Sequence, residues 1–499
     1  MSNTHAADVR FFGHPRGLAT LFFTELFERF SFYGMRALLV LFLTASLAEG
    51  GLGVNNKTAG AIYGIYTGAV YLFALPGGWV ADRVLGQRNS VWYGGIMIAL
   101  GHFMMASTLI EMFYLGLLMI ALGTGLLKPN ISAIVGDLYR DQPDARRDAG
   151  FSLFYMGINL GGALAPLVSG TIGETLGYHW GFLTAGVAML IGLIQYRLTS
   201  HHLGEAGLLP KPGVPTEQLR NRVLLSVGVS LLIFAVAAVW TGWIKISADQ
   251  VANAMGQLMV VCAIGFFGSV LLFGRLDGAE KKRVLVIIVF FLCAALFWAG
   301  FEQAATTFNL FARDLTDRSL FGSWFEGHQH PTSWYQTINS LYIILLSPFF
   351  AWLWITLGKR HLDPSAPLKF GFGLILLGLG FAVLILASQL IISTGGKVGP
   401  QWLLLTYLLH TVGELCLSPI GLSNVTKLAP PRFAGQMMGT WFLGAAMGNL
   451  VAGLIGGEIG SDVATMPREF THMTLIGVGA GGIVLLASPL LRRWMGLIR

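Results

Sequence analysis

The sequence predicts an all-α polytopic membrane protein, and three observations carry that prediction. The 499 residues are 54% hydrophobic and only 11% charged, against about 25% charged in an ordinary soluble domain. Apolar runs of membrane-crossing length recur along the whole chain, rich in Gly and Phe in the manner of helices packed closely in lipid, not of the short alternating strands of a barrel. The net charge of +7 comes from basic residues scattered through the loops, so no basic block points to nucleic acid.

In chain order the spans read at about 18–47, 57–81, 90–110, 112–136, 149–173, 179–199, 223–243, 252–274, 284–312, 333–357, 369–393, 401–427, 433–457 and 471–491. The start has no cleavable signal pattern, and span one is too long and too charged for a signal core, so it is expected to be retained. With fourteen spans both termini share one face. Alternate loops on the other face carry only Lys57, Lys245, Arg313, Arg318, Lys397 and Arg468, and only Arg29, Arg36 and Lys128 lie inside spans. Every other Lys and Arg is on the terminal face, which the positive-inside rule makes cytoplasmic.

Six spans precede the longest polar connection, 200–222, whose Gly204, Gly207, Pro210, Pro212, Gly213 and Pro215 mark a linker. Two spans follow, then six more. The expected organisation is a cytoplasmic N-terminus (1–17), an N-terminal six-helix bundle (18–199), a cytoplasmic linker (200–222), two inserted helices (223–283), a C-terminal six-helix bundle (284–491) and a cytoplasmic C-terminus (492–499). The loop Gly78 to Arg88 has a weaker echo at Ala351 to Arg360. Such paired halves meet at a midplane cavity and alternate access by rocking.

Span one holds Glu25, Glu28 and Arg29 on one helical face, extended by Phe32, Tyr33 and Arg36. Each charge costs about 2.5 to 3.5 kcal/mol at mid-membrane, and buried ion pairs stabilise poorly compared with apolar packing, so the set points to proton or charged-solute handling rather than to a packing device. Lys128 sits mid-span beside Pro129, which removes a backbone donor next to the charge. Glu302 and Glu414 are the lone acids of the second half. A carboxylate that moves between an apolar setting and a cationic partner takes up and releases a proton; a permanent ion pair is the alternative reading. His410 reads as hydrogen-bonded in place. Asn159 and Asn339 either hold a polar ligand or glue helices together. Asp82 and the arginines after it can latch helix ends. Cys262, Cys293 and Cys416 stand apart, with no disulfide or metal spacing. No phosphate-binding loop, zinc spacing or nucleophile elbow is present, which argues against ATP-driven pumping and against a membrane-embedded enzyme using Glu25 or Glu28 as general base.

Together these residues resemble the proton-dependent oligopeptide transporter family of the major facilitator superfamily, of bacterial type. The match runs through Glu25-Leu26-Phe27-Glu28-Arg29-Phe30-Ser31-Phe32-Tyr33, where Phe32 replaces the first of two tyrosines. It continues through Gly78 to Arg88, Lys128-Pro129, Phe154-Tyr155 with Ile158-Asn159-Leu160-Gly161, and Phe297-Trp298 with Glu302-Gln303. The resemblance implies a proton-coupled symporter importing di- and tripeptides across a bacterial cytoplasmic membrane, without cofactor or metal and with the proton as coupling ion. By the same resemblance Arg29, Tyr33 and Lys128 meet the peptide carboxylate, and Asn159, Asn339 and Glu414 its amino end. Glu302 and Arg36 form a gate opened by protonation, Glu25 and Glu28 couple proton entry to Arg29, and Tyr71, Trp298 and Trp441 line the pocket. A carrier of another small anion or drug-like solute is the alternative on the same fold.

Overall fold

The computed structural model describes residues 10–140, 142, 144–208, 215–459 and 462–496. The ends of the expected termini, and the part of the expected linker that holds Pro210, Pro212 and Gly213, lie outside the described residues. Among the described residues, twelve helices are long and apolar enough to cross a membrane. Helices Arg16–Thr44 and Gln87–Met105 cover the remaining two expected spans; the first is set apart by its charges, the cost noted above.

The chain forms two compact units, one made of Arg36 and the chain before it with Ala69–Gln250, the other of Ala37–Gly68 and Val251 onward. The first unit contains most of α1 (Arg16–Thr44), the end of α2 (Asn56–Leu72), α3 (Ala74–Val80), α4 (Gln87–Met105), α5 (Ile110–Leu138), α6 (Asp144–Ala165), α7 (Thr171–Leu176), α8 (Tyr178–Thr199) and α9 (Pro215–Trp240). Its centre is α4, packed along α5 and α8. A Cβ on Gly94 would stand 2.7 Å from the Gly123 carbonyl oxygen, and one on Gly123 2.6 Å from that of Gly94; Gly101 and Gly116 repeat the arrangement two turns on. Bare backbones touching at these points are how membrane helices gain dispersion contact where lipid removes the hydrophobic drive. Pro166 opens a wider helical turn, Pro166–Gly170, between α6 and α7, so span five stays helical throughout.

The motif Gly78 to Arg88 has a latch in it. Arg88 donates from Nε to the Ala206 carbonyl and from Nη2 to the Gly204 carbonyl, both at 2.6 Å, tying the start of α4 to the segment after α8. Asp82 and Arg83 are exposed.

The second unit holds the remaining parts of α1 and α2, then α10 (Ala248–Phe273), α11 (Gly278–Phe301), α12 (Thr307–Leu315), α13 (Thr337–Lys359), α14 (Ala366–Thr394), α15 (Gln401–Leu428), α16 (Ala434–Ile459) and α17 (Met466–Met495). Here α14 is central, lying along α17 and α15. Gly371 faces Gly481, Gly378 faces Gly477 and Gly373 faces Gly413. The third helix of each expected bundle is therefore packed on the fourth and the sixth by glycine contacts. The α2 segment crosses α16 in the same way: a Cβ on Gly60 would meet the Gly453 carbonyl at 2.3 Å. Asn309 of α12 donates to the Ala37 carbonyl (2.9 Å) and Arg313 to Thr44 Oγ1 (2.7 Å), seating the end of α1.

Span nine, expected as one run over 284–312, is broken. Helix α11 ends at Phe301, a tight turn spans Glu302–Ala305, and α12 begins only after Thr306, whose φ of −114° and ψ of −90° are not helical. The cause is polar competition. The Gln303 carbonyl accepts from Thr306 Oγ1 (3.4 Å), and Gln303 Oε1 from Thr307 Oγ1 (3.1 Å), which offers the backbone an alternative to its own ladder.

Candidate functional site

In the first unit α1 places Glu25, Glu28 and Arg29 inside the protein, with 2%, 0% and 4% of their surface exposed. Arg29 Nη2 donates to Glu28 Oε1 at 2.7 Å and its Nε to Glu28 Oε2, a forked pair; Nε also lies 3.2 Å from Glu25 Oε1. The i, i+3, i+4 spacing thus produces one clamp with a single guanidinium between two acids. Glu25 Oε2 is buried with no hydrogen-bond partner among the described residues. The Lys128 ammonium acts on Glu25 electrostatically. A buried carboxylate with an oxygen to spare is a natural place for a proton to land.

Aromatic rings carry the cations. Arg29 lies over the Phe32 ring (5.1 Å), Arg36 over Tyr33 (5.5 Å) and Lys128 over Tyr71 (4.2 Å). The departure at Phe32 leaves the guanidinium on a ring without a hydroxyl. Helix α5 presents Lys128 where Pro129 cannot donate to the Gly125 carbonyl. That carbonyl is also where α3 comes closest, since a Cβ on Gly77 would stand 2.1 Å from it.

Helix α6 fits against α1 through small residues. A Cβ on Gly161 would stand 2.4 Å from the Leu26 carbonyl and 3.1 Å from the Arg29 Cβ. The motif around Asn159 is thus partly a packing device. Asn159 itself donates to the Tyr155 carbonyl of its own helix (3.0 Å), leaving its carbonyl oxygen as the acceptor it can present.

In the second unit Asn339 of α13 donates to Glu414 Oε2 and to Thr411 Oγ1 of α15, both at 3.0 Å. The two residues expected to share a role are in contact. Glu302, 5% exposed, sits on the break after α11, with Tyr63 Oη 3.4 Å from its Oε2. Trp298 packs edge-on against Phe297 and Phe301, and its Nε1 has no hydrogen-bond partner among the described residues. Trp441 is buried against Gly421, where a Cβ would overlap its ring, and stands 6.3 Å from Phe370. His410 shares its Nε2 with the Leu377 carbonyl (3.0 Å) amid Phe301, Phe308 and Phe381, and is held in place.

Two contributors escaped the sequence reading. Thr411 carried a usable signal, standing one helical turn before Glu414. Tyr63 had none beyond being one of three tyrosines in span two with Tyr66 and Tyr71, because its acid lies on a distant helix.

Membrane-length helices with ionisable side chains buried at mid-helix define a polytopic solute carrier. The chain belongs to the POT family, whose profile matches residues 88–461. It is 43% identical to peptide transporter YePEPT of Yersinia enterocolitica over 97% of this chain and 96% of that protein. It is 37% identical to a di-/tripeptide transporter of Lactococcus lactis subsp. cremoris over the full length of both. A crystal structure of a mutant peptide transporter POT in complex with alafosfalin superposes with a TM-score of 0.90 at 40% identity, covering 98% of each chain. A POT family transporter in complex with 5-aminolevulinic acid gives 0.88 at 32% identity, covering 97% and 98%.

Proposed function

We propose that this protein is a proton-coupled symporter that imports di- and tripeptides across a bacterial cytoplasmic membrane by alternating access, with both termini in the cytoplasm. The observation that carries the reading is the buried clamp of Glu25, Glu28 and Arg29 together with Lys128. Charges kept inside a membrane helix without an enzyme's nucleophile or metal motif serve transport. The curated relatives named for peptide transport support the substrate class. The lopsided distribution of Lys and Arg supports the orientation, and the composition of the spans supports two six-helix bundles separated by two inserted helices.

Within this reading, Arg29, Tyr33 and Lys128 recognise the peptide carboxylate, and Asn159, Asn339 and Glu414 its amino group. Tyr71, Trp298 and Trp441 contribute aromatic surface for variable side chains. Glu25, Glu28, Arg36 and Glu302 take part in proton coupling, Glu302 exchanging between ionised and protonated forms. No cofactor is required, since the proton gradient supplies the drive. A related transporter holds 5-aminolevulinic acid, a compact molecule with an amine and a carboxylate, which favours recognition of separated termini over recognition of a particular side chain.

The test is peptide-dependent proton flux in proteoliposomes. Dialanine or trialanine added outside should acidify the lumen and accumulate there under an inward proton gradient. Displacement of bound solute by a non-peptide anion but not by a tripeptide would assign the protein to the alternative class of carrier.

A further inference from the structure

We propose that Tyr63 is a positioning residue for Glu302, its phenol holding the ionised carboxylate at the break between α11 and α12; the proposal rests on the reading of Glu302 as a proton-coupling acid. Tyr63 is fully buried, and its Oη stands 3.4 Å from Glu302 Oε2. That separation is long for a bond to a carboxylate, so a small shift of either group makes or breaks it.

The two partners lie on different kinds of backbone. Tyr63 lies between Gly60 and Gly64, where α2 meets α16 backbone to backbone. A Cβ on Gly64 would stand 2.7 Å from the Leu450 carbonyl, and one on Gly453 2.5 Å from that of Gly60. That close crossing places the phenol. Glu302 sits instead on the short turn after which Thr306 leaves helical geometry. The acid thus lies at an irregular turn and the phenol on a regular helix packed by glycines.

Three titratable groups on neighbouring helices make hydrogen bonds to atoms other than Glu302. Tyr407 of α15 donates to the Ala304 carbonyl (3.5 Å), His410 to that of Leu377 (3.0 Å), and Arg313 of α12 to Thr44 Oγ1 and Asp314. Helix α16 presents no titratable side chain from Ala434 to Gly457. A phenol that donates to a carboxylate favours its charged form, whereas a protonated acid becomes a donor and the phenol must turn to accept or release it. Tyr63 thereby distinguishes the two protonation states of Glu302 and sets where its carboxylate rests.

The experiment compares the full-length wild type, Tyr63→Phe and Glu302→Gln in proteoliposomes, measuring proton-driven dialanine accumulation and dialanine counterflow exchange. Phenylalanine keeps the ring and removes only the donor. Tyr63→Phe should lose about tenfold in accumulation, the scale of a hydrogen bond to a charged group, while counterflow stays within about twofold. Equal loss of both activities would assign Tyr63 a purely structural role and overturn the proposal, as would retention of both. Accumulation by Glu302→Gln equal to that of wild type would instead remove the coupling role of Glu302 on which the proposal stands, and absence of accumulation by wild type would remove the symport reading itself.

Discussion

The Lys128 ammonium lies 4.2 Å above the Tyr71 ring, so α5 and the end of α2 present a cation and its aromatic support as one unit. A desolvated cation–π contact of this kind contributes about 2 kcal/mol. Tyr71→Leu should therefore weaken peptide affinity by up to about thirtyfold while leaving transport measurable at high substrate. Lys128→Ala removes the charge itself and should abolish concentrative uptake. Equilibrium binding and proteoliposome uptake measured side by side separate the two effects, and unchanged uptake by Lys128→Ala would remove that residue from the site.

Asn339 orients Glu414, the acid proposed above to meet the ligand amine, through the 3.0 Å bond to Oε2. Asn339→Leu should raise the KM for dialanine by about tenfold, the scale of a hydrogen bond to a charged group, with kcat little changed. Binding of N-acetyl-dialanine, which carries no cationic amine, should not respond to the substitution. A common loss for both ligands would place Asn339 in packing alone.

The crossing of α2 and α16 makes a stability prediction. With a Cβ at Gly60 only 2.3 Å from the Gly453 carbonyl, Gly60→Val forces two backbones apart at a point with no side chain to yield. Overpacking of this kind costs about 1–3 kcal/mol, and thermal unfolding in detergent should shift down accordingly. Gly78→Val, at a glycine with open space around it, is the control and should leave the transition where it is.

What was legible in the sequence was what local spacing decides. The clamp of Glu25, Glu28 and Arg29 follows from their positions on one helix, and the helical spans follow from runs of apolar residues. Contacts between distant helices left weaker traces. Asn339 and Glu414 were paired only through family resemblance, and the Tyr63–Glu302 contact not at all, since neither residue carries a local sign of the other. The break after Phe301 was hidden for a different reason: hydropathy averages over a window, and the competing bonds of Gln303, Thr306 and Thr307 occupy barely one turn.

The approach to α1 is held by a pH-sensitive contact. His14 Nδ1 and Tyr139 Oη are 2.7 Å apart, and the chain closes on itself through Phe11 N to the His14 carbonyl (3.1 Å) and His14 N to the Phe11 carbonyl (2.8 Å). Burial, and then the Arg146 guanidinium, hold His14 below its ordinary value of 6.5. Burial pushes Tyr139 up to about 12, so it remains a neutral phenol across the physiological range. The docked segment thus prefers neutral His14, while the undocked segment takes up a proton first as pH falls. Docking is at full strength above about pH 6.5 and weakens progressively below it. Amide exchange across residues 10–16, corrected for intrinsic rates, should accelerate as pH drops from 7.5 to about 5.5. His14→Phe keeps a ring in the contact and has nothing to titrate, so its corrected exchange should be flat over the same interval. A slope surviving in that variant would place the titrating group elsewhere.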